Sequence, residues 1–202
     1  SDLPIEITDK ALIEKYYKRE NHFLCEYCFT DLFIWSKDYN TQFVVYNDFI
    51  YLRSNGDDGV RCYTVPEGDG DFVEAVNVLL DFVKKQNEPW IFVSIYKEQK
   101  EKLEKYFPNK FDFEENRDNA DYVYLAEKLA TLSGKKLHKK KNHTNKFYKE
   151  YVWRLSYEEL NDDNIREFFS YQVEWCDFDN QFLGELCAAS TALKNYKELG
   201  IV

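Results

Sequence analysis

Methionine is absent from the sequence, even at position 1. No apolar run approaches the ~20 residues that span a bilayer, which excludes a membrane-spanning helix. The opening Leu3-Pro4-Ile5-Glu6-Ile7 is too short and too charged for a signal peptide. Five cysteines, an odd number without framework spacing, argue against a disulfide scaffold and for a reducing, cytoplasmic setting. The sequence also lacks a G-x-S-x-G elbow, an H-E-x-x-H pair, a P-loop and a dinucleotide fingerprint, so the common hydrolase, zinc-protease and nucleotide motifs are missing. Basic charge is scarce overall: 27 lysines and arginines face 37 acids, a net charge of −10. A chain this acidic is a poor general binder of nucleic acid or membrane. A local basic site remains open, because potentials act over ~8–10 Å.

What is present is ample material for a core, with 44% hydrophobic and 18% aromatic residues in 202. That length fits one large or two small domains. Thr8 and Asp9 open a first helix with Leu12, Ile13, Tyr16 and Tyr17 on one face. A second helix is expected over 26–36. The period then changes to two: 42–46 and 49–53 read as strands around Asn47-Asp48, and 60–65 as a third. Residues 72–85 form a strong amphipathic pattern, 90–96 a buried strand, and 98–107 a helix stopped by Pro108. Short strands are expected at 111–113, 122–125 and 152–156, and two helices at 163–177 and 182–199. This order implies an α+β, or mixed α/β, fold with mostly antiparallel sheet flanked by helices. The strand-and-helix order restarts after Tyr151, a hint of repeated topology. The chain stops at Gly200-Ile201-Val202, the pattern of a helix cap followed by the start of a strand, so it reads as lacking a C-terminal part.

The most unusual stretch is 133–150, Ser-Gly-Lys-Lys-Leu-His-Lys-Lys-Lys-Asn-His-Thr-Asn-Lys-Phe-Tyr-Lys-Glu, with seven lysines and no acid before Glu150. On a helix, Lys135, Lys139, Asn142, Lys146 and Lys149 share one stripe, with Lys136, Lys140 and Lys141 beside it. Ammonium groups suit phosphates, and Asn142 and Asn145 add directional amides. This is a candidate site for an anionic ligand: an RNA backbone, a pyrophosphate of the CoA type or a lipid phosphate. The plain reading is a solvated helix whose lysines balance the acidic remainder of the chain.

Other clusters have plainer readings. Cys25 and Cys28 form a C-x-x-C, but a zinc site needs a second pair, and packing residues on a helix is the simpler reading. The Glu67-Gly68-Asp69-Gly70-Asp71 loop carries too many acids for a phosphate cradle; Asp69 or Asp71 is expected to cap the following helix. His138 and His143 are five apart, off a common helical face, so no metal site is expected. Asp121, Tyr122 and Tyr124 precede or lie in an expected strand and are placed at a cleft edge.

The run Asp121-Tyr122-Val123-Tyr124, with Leu125, Leu129 and the Gly134-Lys135-Lys136-Leu137-His138-Lys139-Lys140-Lys141-Asn142 and Asn145-Lys146-Phe147 segments, resembles the signature of the phosphatidylglycerol lysyltransferase C-terminal domain family. Glu26, Phe29, Leu32 and Trp35 resemble an N-terminal pattern of the same family. Lys141 stands where that family usually has arginine, removing a bidentate fork. The resemblance implies tandem acyltransferase folds of the GNAT type, a first unit over 1–132 and a basic linking helix with a truncated second unit over 133–202. It also implies an acyl- or aminoacyltransferase using aminoacyl-tRNA or acyl-CoA as donor, with tRNA and a phosphate-bearing substrate as partners. In membrane-anchored relatives the domain transfers an aminoacyl group from charged tRNA to a lipid headgroup. The alternative is a non-catalytic protein on the same scaffold that binds RNA or an anionic metabolite.

Overall fold

The computed structural model of the chain describes residues 3–17, 24–56, 58–177 and 183–201. Its centre is the expected hairpin. β1 (Leu3–Pro4) lies antiparallel to β2 (Gln42–Tyr46), which pairs in register with β3 (Phe49–Asn55). Asn47 and Asp48 join β2 to β3 with left-handed backbones, φ 47 and 59; two such residues match the twist of the strands they link. The second half of β3 pairs with β4 (Arg61–Tyr63) and its first half with β5 (Glu67–Gly68). β6 (Trp90–Phe92) runs parallel to β4 at the sheet edge. The order is β1-β2-β3-β4-β6 with β5 beside β3, a mixed and mostly antiparallel sheet.

Alternation along the hairpin gives the sheet two apolar faces. Phe43, Ile50 and Leu52 pack against Ile13, Tyr16 and Tyr17 of α1 (Lys10–Tyr17) and Phe29 and Leu32 of α2 (Phe29–Trp35). Phe49, Tyr51 and Tyr63 meet Ala75, Leu79 and Val83, one stripe of α3 (Phe72–Gln86). Asp71 starts α3 by accepting the Val73 and Glu74 amides at 2.9 and 3.0 Å, so the acidic loop is a helix cap, as expected. Gly68 is required by the chain itself, since a Cβ there would lie 2.1 Å from the Asp48 carbonyl oxygen. α4 (Lys97–Tyr106) ends ahead of Pro108, and its Leu103 packs with Val65, Val76 and Phe107 in a third cluster.

Further along come α5 (Ala126–Thr131), α6 (His138–Tyr151), α7 (Ile165–Asp177), α8 (Leu183–Lys194) and α9 (Tyr196–Leu199). α8 packs on α2 and α7 on α8. Leu199 and Ile201 enter the core beneath α1 and α2, and Lys10 Nζ donates to the Glu198 carbonyl at 2.6 Å. Gly200 ends α9 with φ 71, the helix cap read from the sequence. Asn161, rather than the neighbouring acids, bonds the Asp163 and Asn164 amides ahead of α7. Asp162 instead accepts from Tyr196 Oη and Lys197 Nζ at 2.6 and 2.5 Å.

Several expectations are corrected. Residues 111–113 are not a strand: Phe111 packs its ring 5.5 Å from Phe92 and 6.1 Å from Phe107, so apolar contact replaces a ladder. Residues 122–125 and 152–156 also pair with no strand. The first segment leads into α5, and Val152–Arg154 forms a single 3-10 turn. Alternating side chains alone do not make a strand where no sheet edge is within reach. Residues 93–96 leave β6 after Phe92, because Ser94 turns with φ 55. Among the described residues no helix is long and apolar enough to cross a membrane.

Candidate functional site

The basic stretch is helical, as its spacing predicts, and stands clear of the cores. Gly134, at φ 95, opens it in a conformation that suits glycine. A 3-10 turn over Lys135–Leu137 leads into α6. No residue of α6 is buried, and Lys135, Lys136, Lys139, Lys140, Lys141, Asn142, Asn145 and Lys146 are all exposed. Among the described residues, the one ion pair these lysines make is Lys146 with Glu150, at 3.8 Å. The lysines are therefore not spent on the acidic remainder of the chain.

The start of α6 is unusual electrostatically. Leu137 precedes it without a side-chain cap, and its first turn holds no acid but three successive lysines at 139–141. Cations at the positive end of a helix dipole oppose it, while anions there are favoured. The far end is aromatic. Phe147 lies 5.9 Å from Tyr148 and 5.4 Å from Tyr151, and the Arg154 guanidinium sits 4.7 Å above the Tyr151 ring. Trp153 is 77% exposed and Tyr157 86%. Exposed rings beside lysines form a surface on which bases can stack while phosphates are neutralised.

Tyr122 and Tyr124, expected at a cleft edge with Asp121, lie at the surface. The two tyrosine rings stack at 6.4 Å and are 86% and 54% exposed. Asp121 turns toward the C-x-x-C, where its Oδ2 accepts the Cys25 amide at 3.0 Å. Cys25 and Cys28 are not packing residues of a helix: Cys25 is in a 3-10 turn, Cys28 precedes α2, and both are exposed. The Cys25 thiol, one carboxylate oxygen of Glu26 and one of Asp121 lie within 4.8 Å of one another. Among the described residues, they form the one group of three donors close enough to share a cation. Burial of the sulfur, then Glu26, Asp31 and Asp121, pushes the thiol up to about 12, so it stays protonated at neutral pH. Asp31 is raised to about 6 by burial, then by Glu26 and Asp121.

The sequence did not reveal a third cluster at the C-terminal ends of the parallel strands β4 and β6. There the chains diverge, one turning through Thr64 to Pro66 into β5 and the other through Ser94 into α4. Glu67 is 7% exposed and Gln99 2%. Glu67 Oε1 accepts from Gln99 Nε2 at 2.6 Å and from Tyr96 Oη at 2.5 Å. Gln99 Nε2 also donates to Tyr27 Oη at 3.1 Å, and that hydroxyl donates to the Ser94 carbonyl at 3.1 Å. Tyr17 Oη meets Thr64 Oγ1 at 3.4 Å. Burial above all lifts both Tyr17 and Tyr27 well above the usual phenol range, against the opposing hydrogen bond of Thr64 at Tyr17 and reinforced by Tyr17 at Tyr27, keeping them as donors. The divergence of parallel strands is where open sheets commonly bind ligands.

The family model described as phosphatidylglycerol lysyltransferase, C-terminal, matches residues 17–201. An uncharacterized protein of Mycoplasmoides gallisepticum is 26% identical over 123 residues, covering 52% of this chain and 40% of that protein. The chain thus spans less than half the length of that curated relative. A crystal structure of a conserved protein of unknown function from Bacteroides thetaiotaomicron is 30% identical, with TM-score 0.89, over 98% of this chain and 68% of that one. The family match covers the hairpin, the buried Glu67 cluster and the whole basic helix, and the chain belongs to the phosphatidylglycerol lysyltransferase C-terminal domain family.

Proposed function

We propose that this chain belongs to an acyl- or aminoacyltransferase of the GNAT type that takes its acyl group from aminoacyl-tRNA in preference to acyl-CoA. The observation that carries this reading is α6, whose lysines are exposed and, Lys146 apart, free of ion pairs among the described residues, and whose far end carries exposed rings. A CoA pyrophosphate asks for a compact cradle. A long basic helix with aromatic neighbours suits an extended phosphate backbone with unstacked bases. Lys139, Lys140, Lys141 and Asn142 would hold phosphates at the helix start, with Lys135, Lys136, Asn145 and Lys146 extending the track. In the repeat arrangement that goes with this reading, residues 1–132 form one unit, and 133–202 the linking helix with the start of another.

In the reaction, an amine or hydroxyl of the acceptor attacks the carbonyl carbon of the aminoacyl ester. A new C–N or C–O bond forms, the bond to the ribose oxygen breaks, and the acceptor's proton ends on that ribose hydroxyl. Positioning and oxyanion stabilisation dominate such transfers.

The test is binding of the protein to aminoacyl-tRNA, deacylated tRNA and acetyl-CoA at two salt concentrations, with loss of the aminoacyl ester followed in parallel. Salt-sensitive preference for the charged tRNA, with ester loss when an acceptor extract is added, supports transfer. Binding of both tRNAs without ester loss supports the non-catalytic alternative. Failure of every ligand to bind refutes both.

A further inference from the structure

β5 carries a carboxylate into the interior. Glu67 pairs in register with Ile50 and so shares its side of the sheet, the one packed against α1 and α2. Only 7% of Glu67 is exposed, yet among the described residues it makes no ion pair. Both of its hydrogen bonds, from Gln99 Nε2 and Tyr96 Oη, fall on Oε1. Oε2 accepts from no group among the described residues, and the one sealed side-chain polar atom among them that lacks a partner is Tyr51 Oη. Oε2 is therefore both unbonded and open to solvent.

The open oxygen is held in place from behind. Gln99 gives Nε2 to Glu67 Oε1 and to Tyr27 Oη, and takes the Tyr96 amide on its Oε1 at 3.3 Å. Tyr96 Oη fixes the same Glu67 oxygen; its ring meets that of Tyr27 edge-on at 5.7 Å, and Tyr27 meets Tyr17 at 5.0 Å. Aromatic faces attract cations, as the carboxylate does. An interior carboxylate is normally matched by a cation, because neutral donors offset only part of the cost of taking charge out of water. Two neutral donors on one oxygen leave that match unmade, and a ligand can supply it. A calcium or magnesium ion asks for about six oxygen donors around one point, whereas Glu67 offers one free carboxylate oxygen. An ammonium group asks for one strong acceptor among aromatic neighbours.

We propose that Glu67 Oε2 binds the primary ammonium group of a small organic ligand where β4 and β6 diverge. Under the transferase reading, on which this identification of the ligand rests, the ammonium is the free α-amino group of the aminoacyl donor. The carboxylate then holds the amino acid by a group that an acetyl donor lacks. The same contact selects an aminoacyl ester over one whose amine is blocked. The proton stays on the ammonium, and no covalent bond changes at this position.

The test is titration of the full chain at pH 6.5 with alanine methyl ester, N-acetylalanine methyl ester and potassium chloride, followed by amide chemical shifts. An α-amino group, with a pKa of ~7.7–8.0, is protonated there. The expected result is saturable shifts at Glu67, Ser94, Tyr96 and Gln99 with the alanine ester, and binding about tenfold weaker or less for the blocked ester and for potassium. Glu67→Gln keeps an acceptor for Tyr96 and Gln99 but not the charge. It weakens the alanine ester by about tenfold or more, on the scale of a hydrogen bond to a charged group. The inference is overturned if the alanine ester does not bind saturably, if its shifts fall elsewhere, if the blocked ester or potassium binds equally well, or if Glu67→Gln binds like the parent. The comparison of probes on the unaltered protein needs no variant, so a substitution that fails to fold does not spare the inference. No probe contains RNA, which separates the two readings. Ammonium-selective binding at Glu67 without any tRNA binding leaves this site standing and removes the transfer reading; tRNA binding with ester loss but no ammonium selectivity overturns the site alone.

Discussion

Gln99→Leu removes a side chain only 2% exposed from the centre of the buried polar cluster, at nearly constant volume. The substitution breaks the bonds from Gln99 Nε2 to Glu67 Oε1 at 2.6 Å and to Tyr27 Oη at 3.1 Å, and the 3.3 Å bond from the Tyr96 amide to Gln99 Oε1; Tyr27 Oη keeps its bond to the Ser94 carbonyl. A hydrogen bond to a charged group contributes ~1.5–3 kcal/mol, and this bond dominates the loss. Because leucine fills the space, no cavity cost is added, and the expected loss is ~2–3 kcal/mol. For a chain of this size that lowers the melting temperature by roughly 5–10 °C. Glu67→Leu is expected to cost a similar amount, since it leaves Gln99 Nε2 and Tyr96 Oη without their acceptor. The double variant leaves fewer orphans than the two singles together, so its cost falls short of their sum by ~1 kcal/mol or more. Urea denaturation followed by tryptophan fluorescence and far-UV circular dichroism measures all three. If the costs add within ~0.5 kcal/mol, the residues do not act as one network and the reasoning fails.

Asp71→Ala removes the acceptor of two first-turn amides of α3 and should cost ~1 kcal/mol in the same assay. Asp31, with its folded-state pKa raised from 3.8 to about 6, favours the folded state below pH 3.8, and that contribution is lost as pH rises through 6. Asp31→Asn should therefore be more stable than the parent by ~1 kcal/mol at pH 7.5, the half-buried site being partly screened, and the gap should close by about pH 4. Cys25, held near 12, should react with iodoacetamide at pH 8 at least tenfold more slowly than free cysteine, read by peptide mass mapping. Asp121→Asn should speed it. Lys139→Glu with Lys140→Glu should not lower stability, because both side chains are exposed and free of ion pairs among the described residues and acids suit the positive end of α6, while weakening tRNA binding and flattening its salt dependence.

The hairpin, α3 and α6 were legible because each carries its own signal: alternation about Asn47-Asp48, a core stripe behind Asp71, and a lysine run opened by Gly134. Residues 122–125 and 152–156 misled because their apolar content satisfies a strand pattern, whereas pairing depends on a neighbour the local sequence does not name. Tyr122 and Trp153 remain 86% and 77% exposed instead. Cys25 and Cys28 looked like helix packing because the break between a 3-10 turn and α2 falls inside the pair. The Glu67 cluster was invisible for a different reason. Its bonds join residues 29, 32 and 72 positions apart, and none of the four residues is unusual where it stands.

The exposure of α6 has a consequence for how it exists in solution. A helix of 14 residues that buries none of them has little tertiary support among the described residues, and isolated helices of that length are marginal in water. Three lysines in its first turn tilt the balance further toward coil. Its amide protons should then exchange early, well before those of α3. A polyanion laid along the segment would remove the repulsion and raise the helical population, so that recognition and ordering become one equilibrium. The affinity measured for such a ligand would include the free energy of winding the helix, and circular dichroism would report binding as a gain of helix.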